Sequence, residues 1–213
     1  MRIFKKQLLV SIALLASFNV WAVSHDSLHL FGYQEFEKSN LSMFPQWLSV
    51  LERHVKNLAQ ARDCSSTAFN RCDLKQWLVF LDSIRGLSRK QQIEAVNRRA
   101  NKKAYVLDIE NYGVADYWAT PKEFLINSGD CEDYAIIKML SMKWLGYDVN
   151  KMRIVVVQDT NLRTAHAVMS IQRAGDVYIL DNQIPEVLSH HAIFHYVPVY
   201  SLNENHWWMH VPK

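Results

Sequence analysis

One cysteine in this chain stands where it could act as a nucleophile. Cys131 follows the turn Ser128-Gly129-Asp130 and precedes a run of apolar residues that indicates a buried helix. The N–H groups in the first turn of a helix favour negative charge, which helps a thiol to ionise. A thiolate at Cys131 could attack a carbonyl carbon, and the N–H groups at the helix start are candidate donors to the resulting oxyanion.

A histidine and an aspartate later in the chain could serve this thiol. His166 lies in an alternating, strand-like segment, and Asp181 ends the next such segment. A hairpin that turns at Ala174-Gly175 would place Asp181 opposite Val168, so that His166 and Asp181 form a diagonal pair on one face. His166 would take the thiol proton, and Asp181 would fix the tautomer and stabilise the imidazolium. This set predicts a cysteine hydrolase.

Each of these residues also has a simpler interpretation. Cys131 could be an inert buried cysteine, His166 a structural residue of an amphipathic strand, and Asp181-Asn182 the turn that ends a strand. The order of the three residues and the position of the cysteine at a helix start favour catalysis over these separate interpretations.

Three acidic residues, Asp130, Glu132 and Asp133, flank the cysteine. Their negative charge disfavours a thiolate. They could simply cap the helix and complement its dipole, each contributing about 0.3–1 kcal/mol. Three carboxylates so close together also form an oxygen-rich site for a hard cation, and Ca²⁺ is the natural candidate outside the cytoplasm. A bound cation would cancel the charge that opposes the thiolate. The spacing leaves both interpretations open.

The elements that must position these residues are helices first and strands afterwards. Apolar spacing predicts amphipathic helices over 41–58 and 73–84, and capping boxes at Ser88 and Thr120 predict the starts of two more. The Cys131 helix should run to Leu145 with Asp130 as its cap, and its nearly uniform apolar surface predicts the central, buried position. Segments 153–158, 165–172, 177–180 and 196–200 are typical of strands.

Helices followed by an antiparallel sheet predict a single α+β domain. The segment 23–40 gives no clear prediction, and Trp207-Trp208 is an aromatic cluster after the last strand. The pair His190-His191 is predicted to lie in an exposed loop.

The N-terminus predicts export. Arg2, Lys5 and Lys6 precede an apolar run, and Val20-Trp21-Ala22 provides a signal-peptidase site, so residues 1–22 resemble a signal peptide and residues 23–213 the mature domain. An uncleaved anchor is the alternative, but the run is too short to span a bilayer. The chain has 24 Lys+Arg and 21 Asp+Glu. Removing three basic residues leaves the mature domain neutral, without an electrostatic footprint for nucleic acid.

Three cysteines in an oxidising compartment leave one unpaired. Cys64 and Cys72 are close enough in sequence to form a local disulfide, and Cys131 would then be the free thiol.

Four motifs together resemble the bacterial transglutaminase-like cysteine peptidases of the LapG type, which are periplasmic proteases. They are Tyr117-Trp118-Ala119-Thr120-Pro121-Lys122-Glu123-Phe124-Leu125, Gly129-Asp130-Cys131-Glu132-Asp133-Tyr134-Ala135, Thr164-Ala165-His166-Ala167-Val168 and Tyr178-Ile179-Leu180-Asp181-Asn182. The likeness covers residues 87–209.

The resemblance implies a papain-like transglutaminase core with Cys131, His166 and Asp181 as a catalytic triad. It also implies that Asp130, Glu132 and Asp133 bind a Ca²⁺ needed for activity. The implied substrate is a large surface adhesin, cut near its N-terminus and so released from the outer membrane. The implied regulator is an inner-membrane receptor for cyclic di-GMP that sequesters the protease. Two alternatives remain: a transglutaminase or amidase with the same fold, and a catalytically silent binding module.

Overall fold

The computed structural model describes residues 29–67 and 71–213. The predicted signal peptide lies outside these residues. The helices are α1 Pro45–Arg62, α2 Asp73–Ser83, α3 Arg89–Ala100, α4 Asp108–Asn111, α5 Pro121–Asn127 and α6 Cys131–Trp144. The strands are β1 Gln34–Lys38, β2 Met152–Asp159, β3 Thr164–Arg173, β4 Asp176–Leu180, β5 Leu188–Ser189, β6 Tyr196–Leu202 and β7 Trp207–Val211. Most helices therefore precede the sheet, as the α+β prediction requires.

Local sequence signals set where the helices begin. The capping boxes at Ser88 and Thr120 form as predicted, and each side chain accepts a hydrogen bond from the N–H three residues later. The first helix begins at Pro45, later than the predicted start at residue 41. Proline favours this first turn because it has no N–H to leave unpaired and its φ is already helical.

Helix α6 is the central element. Every residue from 132 to 142 is buried, including the charged Glu132, Asp133 and Lys138. The helix packs against α3 and α5 on one side and against β2 and β3 on the other. The prediction of a buried helix with Cys131 as its first residue is confirmed.

The seven strands form one antiparallel sheet in the order β1-β7-β6-β2-β3-β4-β5. Strands β3 and β4 form the predicted hairpin. Met169 lies opposite Leu180, and Ala174 and Gly175 make the turn with φ of 52° and 80°. The register that brings Asp181 towards His166 therefore has the predicted value.

Apolar side chains cover both faces of the sheet centre. The larger core lies between the helices and one face, around Trp47, Phe124, Ile136 and Met169. A smaller core on the other face includes Leu30, Val155, Val168, Ile179 and Tyr196. Strand β3 is buried from His166 to Ile171, which holds the His166 side chain in a fixed position.

Further differences from the sequence-based expectation lie at β1 and at His190, and the short elements α4 and β5 were not predicted either. Strand β1 was not predicted, and Trp207-Trp208 begins strand β7, with which β1 pairs. The prediction of an exposed loop is wrong for His190, which is 2% exposed and accepts a hydrogen bond through Nδ1 from the Phe31 N–H at 2.9 Å. Its neighbour His191 is exposed.

The predicted disulfide joins Cys64 to Cys72, with an S–S distance of 2.02 Å. Cys131 is a free cysteine. None of the helices within residues 29–67 and 71–213 combines the length and the apolar composition needed to cross a membrane.

Candidate active site

The Cys131 thiol lies at the first residue of α6 and is half-buried. Its Sγ donates a hydrogen bond to Glu132 Oε2 at 3.3 Å. Burial raises the pKa of the thiol, and the charges of Glu132 and Asp130 raise it further, whereas the Ala167 N–H acts in the opposite direction. The predicted conflict between the acidic residues and a thiolate is therefore present in the folded protein.

His166 and Asp181 are in direct contact. His166 Nε2 lies 2.9 Å from Asp181 Oδ1, and both side chains are almost completely buried. The predicted pairing across the β3–β4 hairpin is confirmed, although Asp181 lies one residue beyond the end of β4. The catalytic roles of the two residues stay predictions at this point.

The Asp181 carboxylate has a complete set of hydrogen bonds. Oδ1 also accepts from the Gln183 N–H at 2.9 Å, and Oδ2 accepts from the Tyr196 hydroxyl at 2.6 Å. Burial alone would raise the pKa of Asp181, but the hydrogen bonds from His166, Tyr196 and Gln183 outweigh burial and hold it below its usual value. The carboxylate is therefore charged and fixed behind the imidazole.

The thiol and the imidazole line one cleft. Cys131 and His166 border a cavity of about 350 Å³ whose walls also include Trp47, Trp118 and Tyr200. Trp118 is 7% exposed and packs edge-on against Trp47, so it belongs to the core and also borders the cleft. A peptide segment that enters this cleft would meet both the sulfur and the imidazole, as acyl transfer requires.

An acidic cluster lies next to the thiol. Oxygens of Asp108, Asp130 and Asp133 lie within 4.8 Å of one another. One oxygen of each is buried without a hydrogen-bond partner, namely Asp108 Oδ1, Asp130 Oδ1 and Asp133 Oδ2. Buried carboxylate oxygens are costly when unpaired, and three that face one another provide the oxygen ligands that a hard cation such as Ca²⁺ prefers.

The ligand set differs in part from the predicted one. Asp130 and Asp133 belong to the group that contains Asp108, whereas Glu132 groups with Asp108 and Asp116 and also with Asp130 and the thiol. Asp108 and Asp116 were missed by the sequence interpretation. Both lie well before Cys131 in the sequence, and neither belongs to a sequence motif that indicates a metal ligand.

Asp130 does not cap α6 in the expected way. It occupies the N-cap position, but its side chain makes no capping hydrogen bond. The carboxylate instead contributes an unpaired oxygen to the acidic cluster. The capping interpretation is therefore wrong for this side chain.

Burial raises the pKa of Asp108, Glu132 and Asp133 because it disfavours their charged forms. For Asp133 the value is about 8, with the Ala119 N–H opposing the shift and the Asp130 charge adding to it. For Asp108 the value is about 6. The pKa of Glu132 is also raised, first by burial and then by Asp130. Without a cation these groups hold protons at pH values where free carboxylates are ionised.

Gly129 allows the backbone to approach the Asp133 carboxylate closely. A Cβ added to Gly129 would lie 2.1 Å from Asp133 Oδ2, so no side chain fits there. The Gly129 carbonyl accepts from the Val106 N–H at 3.0 Å, and Asp133 Oδ1 accepts from the Ala119 N–H at 2.7 Å. Arg53 of α1 holds the neighbouring segment through the Trp118 carbonyl at 2.6 Å.

A buried amine lies behind the imidazole–carboxylate pair. Lys138 is 0% exposed, and its Nζ has no hydrogen-bond partner among the residues that the structure describes. Burial lowers the pKa of Lys138 to about 7, and the charge of Asp181 acts in the opposite direction. The sequence interpretation placed no cation here, because an isolated lysine in an apolar helix carries no signal of its partners.

Comparison with known proteins gives matches in both sequence and structure. Residues 63–213 match the family model of the bacterial transglutaminase-like cysteine proteinases. The calcium-bound structure of Legionella pneumophila LapG is similar, with 30% identity and a TM-score of 0.62, and the match covers 73% of this chain and 86% of that one. The EGTA-treated structure of the same protein matches with equal identity and TM-score, over 73% and 84% of the two chains. A search of curated protein sequences found no match.

Proposed function

Because the chain belongs to the family of bacterial transglutaminase-like cysteine proteinases and is of the LapG type, we propose that it is a calcium-dependent endopeptidase with Cys131, His166 and Asp181 as its catalytic triad. The observation that carries this proposal is the shared cleft: a free thiol at a helix start and a histidine held by a buried carboxylate border the same cavity.

In the proposed mechanism, His166 takes the thiol proton through Nδ1, because Nε2 is held by Asp181. The Cys131 thiolate attacks the substrate carbonyl, and the N–H groups at the start of α6 donate to the oxyanion. The imidazolium then protonates the leaving amine, and water hydrolyses the thioester with His166 again as the base. Asp181 remains ionised throughout and stabilises the imidazolium.

The residues near the thiol fit a calcium ion. Asp108, Asp130 and Asp133 would hold it through the oxygens that lack other partners, with Glu132 and Asp116 next to them. A bound Ca²⁺ supplies positive charge where the carboxylates otherwise oppose the thiolate. The calcium-bound and EGTA-treated forms of the Legionella relative support calcium as the ion.

The proposed substrate is a large surface adhesin, cleaved near its N-terminus in the periplasm so that it leaves the outer membrane and the biofilm disperses. The proposed regulator is an inner-membrane receptor for cyclic di-GMP that sequesters the protease. The likeness to a LapG-type protease and the signal-peptide-like residues 1–22 support these proposals.

A chelator-controlled cleavage assay tests the function. Adhesin N-terminal fragments are incubated with the wild type and with Cys131→Ala, in Ca²⁺ and in EGTA. We expect cleavage by the wild type in Ca²⁺ alone, and none by Cys131→Ala while circular dichroism shows it folded. Crosslinking or ammonia release without cleavage would indicate a transglutaminase or amidase instead. Equal activity of the two proteins would refute a catalytic Cys131.

A further inference from the structure

The hydrogen bonds of His166 define its tautomer. Asp181 is charged and can only accept, so His166 Nε2 must carry a proton that it donates to Oδ1 at 2.9 Å. In a neutral ring, Nδ1 then has the free lone pair. Gln183 Nε2 lies 3.3 Å from Nδ1, and an amide NH₂ facing a lone pair is a donor. The Gln183 amide therefore occupies the nitrogen that must accept the thiol proton.

The thiol is also held by another partner. Cys131 Sγ donates to Glu132 Oε2, and no hydrogen bond joins it to His166 anywhere in the described parts of the chain. Both reacting atoms of the proposed catalytic pair are thus hydrogen-bonded elsewhere, the sulfur to Glu132 and the base nitrogen to Gln183.

The backbone and the side chain of Gln183 differ in how firmly they are held. Its backbone N–H donates to Asp181 Oδ1 at 2.9 Å and fixes the residue next to the buried pair. Its side chain is exposed, and the contact with His166 is its one hydrogen bond within residues 29–67 and 71–213. The amide can therefore swing away from Nδ1 while the backbone continues to support Asp181.

We propose that the Gln183 amide is a positioning group that donates to His166 Nδ1 in the free enzyme and must give up this contact before the thiol reacts. This inference rests on the proposed function. When the Sγ–H bond breaks and the Nδ1–H bond forms, Nδ1 loses the lone pair to which Gln183 donates. The two N–H groups would then face each other, so the imidazolium and the observed Gln183 contact exclude one another.

A peptide in the cleft provides a partner for the displaced amide. Its backbone carbonyls are acceptors, and an amide beside Nδ1 is close to where the scissile bond must lie. Binding of the substrate thus frees the base nitrogen and gains a hydrogen bond from Gln183. Before the substrate arrives, the donor on Nδ1 keeps the free thiol less reactive.

Two substitutions test the role of the Gln183 donor at His166 Nδ1. Gln183→Met keeps the side-chain length and removes the donor, whereas Gln183→Glu places an acceptor beside Nδ1 and favours the imidazolium. Iodoacetamide reports on Cys131 alone, because the other two cysteines form the disulfide. Alkylation of the free protein is measured in Ca²⁺, together with kcat and KM for a cleaved adhesin peptide.

We expect Gln183→Met to raise the alkylation rate of the free protein about two- to tenfold, the scale of one neutral hydrogen bond. Its KM should rise about as much, because the substrate loses a donor. Gln183→Glu should raise alkylation further. A purely structural role, in which Gln183 supports Asp181 only through its backbone N–H, would leave both alkylation and kcat unchanged in Gln183→Met.

Gln172→Met on the same hairpin is the matched control, because its side chain has no hydrogen bond in the described chain, and we expect no change in either rate. Alkylation that is unchanged or slower in a folded Gln183→Met, confirmed by circular dichroism, would overturn the inference and leave the proposed function intact. A wild-type thiol that neither alkylates nor cleaves in Ca²⁺ would overturn the proposed function, and the inference with it.

Discussion

Two buried acid sites serve the proposed catalytic pair, one at Asp181 against His166 and one in the acidic cluster beside Cys131, and they are built differently. The Asp181 carboxylate accepts three hydrogen bonds, from His166, Gln183 and Tyr196, and its pKa is held below the usual value despite burial. In the acidic cluster, Asp130 and Asp133 each have one buried oxygen without a partner, and burial raises the pKa of Asp133 to about 8.

Hydrogen-bond partners, and not burial alone, therefore decide the charge of a buried acid. The chain supplies every donor that Asp181 needs, so this site is complete within the protein. The acidic cluster has more oxygens than the chain has donors, so it is completed by a cation from solution or by protons. We therefore expect the Asp181 site to be constant and the acidic cluster to respond to calcium and to pH.

The largest expected effect is at the complete site. Asp181→Asn keeps the shape of the side chain but places an NH₂ donor where the carboxylate only accepts. We expect kcat to fall on the order of 10³- to 10⁴-fold at saturating Ca²⁺. Steady-state cleavage kinetics measure this change, with Asp148→Asn as an exposed control of the same chemistry. Near-normal kcat would mean that Asp181 is structural.

Calcium removal should affect stability through the other site. A ligand at about 100 times its Kd stabilises the folded state by about 2.7 kcal/mol, so EGTA should lower Tm by several degrees. Cys131→Ala should show the same shift, because it retains every carboxylate. An EGTA-insensitive Tm in both proteins would contradict the calcium assignment.

The stability of the calcium-free protein should also depend on pH with a defined sign. The pKa of Asp133 is 3.8 when unperturbed and about 8 in the folded protein. The folded state therefore binds more protons between these values, and stability should fall as pH rises from about 4 to about 8. Urea titrations in EGTA across this range measure the slope, and saturating Ca²⁺ should reduce it.

Asp133→Asn tests the acidic cluster directly, because its effect on stability should have opposite signs with and without calcium. The amide can still accept the Ala119 N–H through Oδ1 but carries no charge. In EGTA we expect the variant to be more stable than the wild type by about 1–3 kcal/mol, and in Ca²⁺ less stable. The same sign under both conditions would mean that Asp133 does not bind the ion.

The smallest expected effect is at Tyr196. Tyr196→Phe removes the donor to Asp181 Oδ2 and leaves the bonds from His166 and Gln183 in place. We expect a loss of stability of about 1 kcal/mol and a decrease in kcat of less than tenfold. A much larger decrease in kcat would show that the remaining bonds from His166 and Gln183 do not hold Asp181 in place by themselves.

The parts of the site that follow from local signals could be predicted from the sequence. The turn at Ala174-Gly175 sets the β3–β4 register, and this register brings Asp181 to His166. The helix that starts at Cys131 follows from a glycine turn and a continuous apolar run. Both depend on neighbours in sequence.

The parts that were missed depend on long-range packing. Asp108 and Asp116 join the acidic cluster only because the segment before α5 folds back over α6. Tyr196 reaches Asp181 from β6. Strand β1 was missed because its sequence, Gln-Glu-Phe-Glu-Lys, has a single apolar residue, which is typical of a polar edge strand.

A substitution at Gly129, beside the acidic cluster, should affect the ion site and the proposed catalytic residues differently. A methyl group at Gly129 would collide with Asp133 Oδ2 but would leave the sulfur, the imidazole and their supporting carboxylate chemically unaltered. We therefore expect Gly129→Ala to disable the ion site while every proposed catalytic side chain is retained. In cells such a protease would show how much of the activity comes from the ion and how much from those side chains.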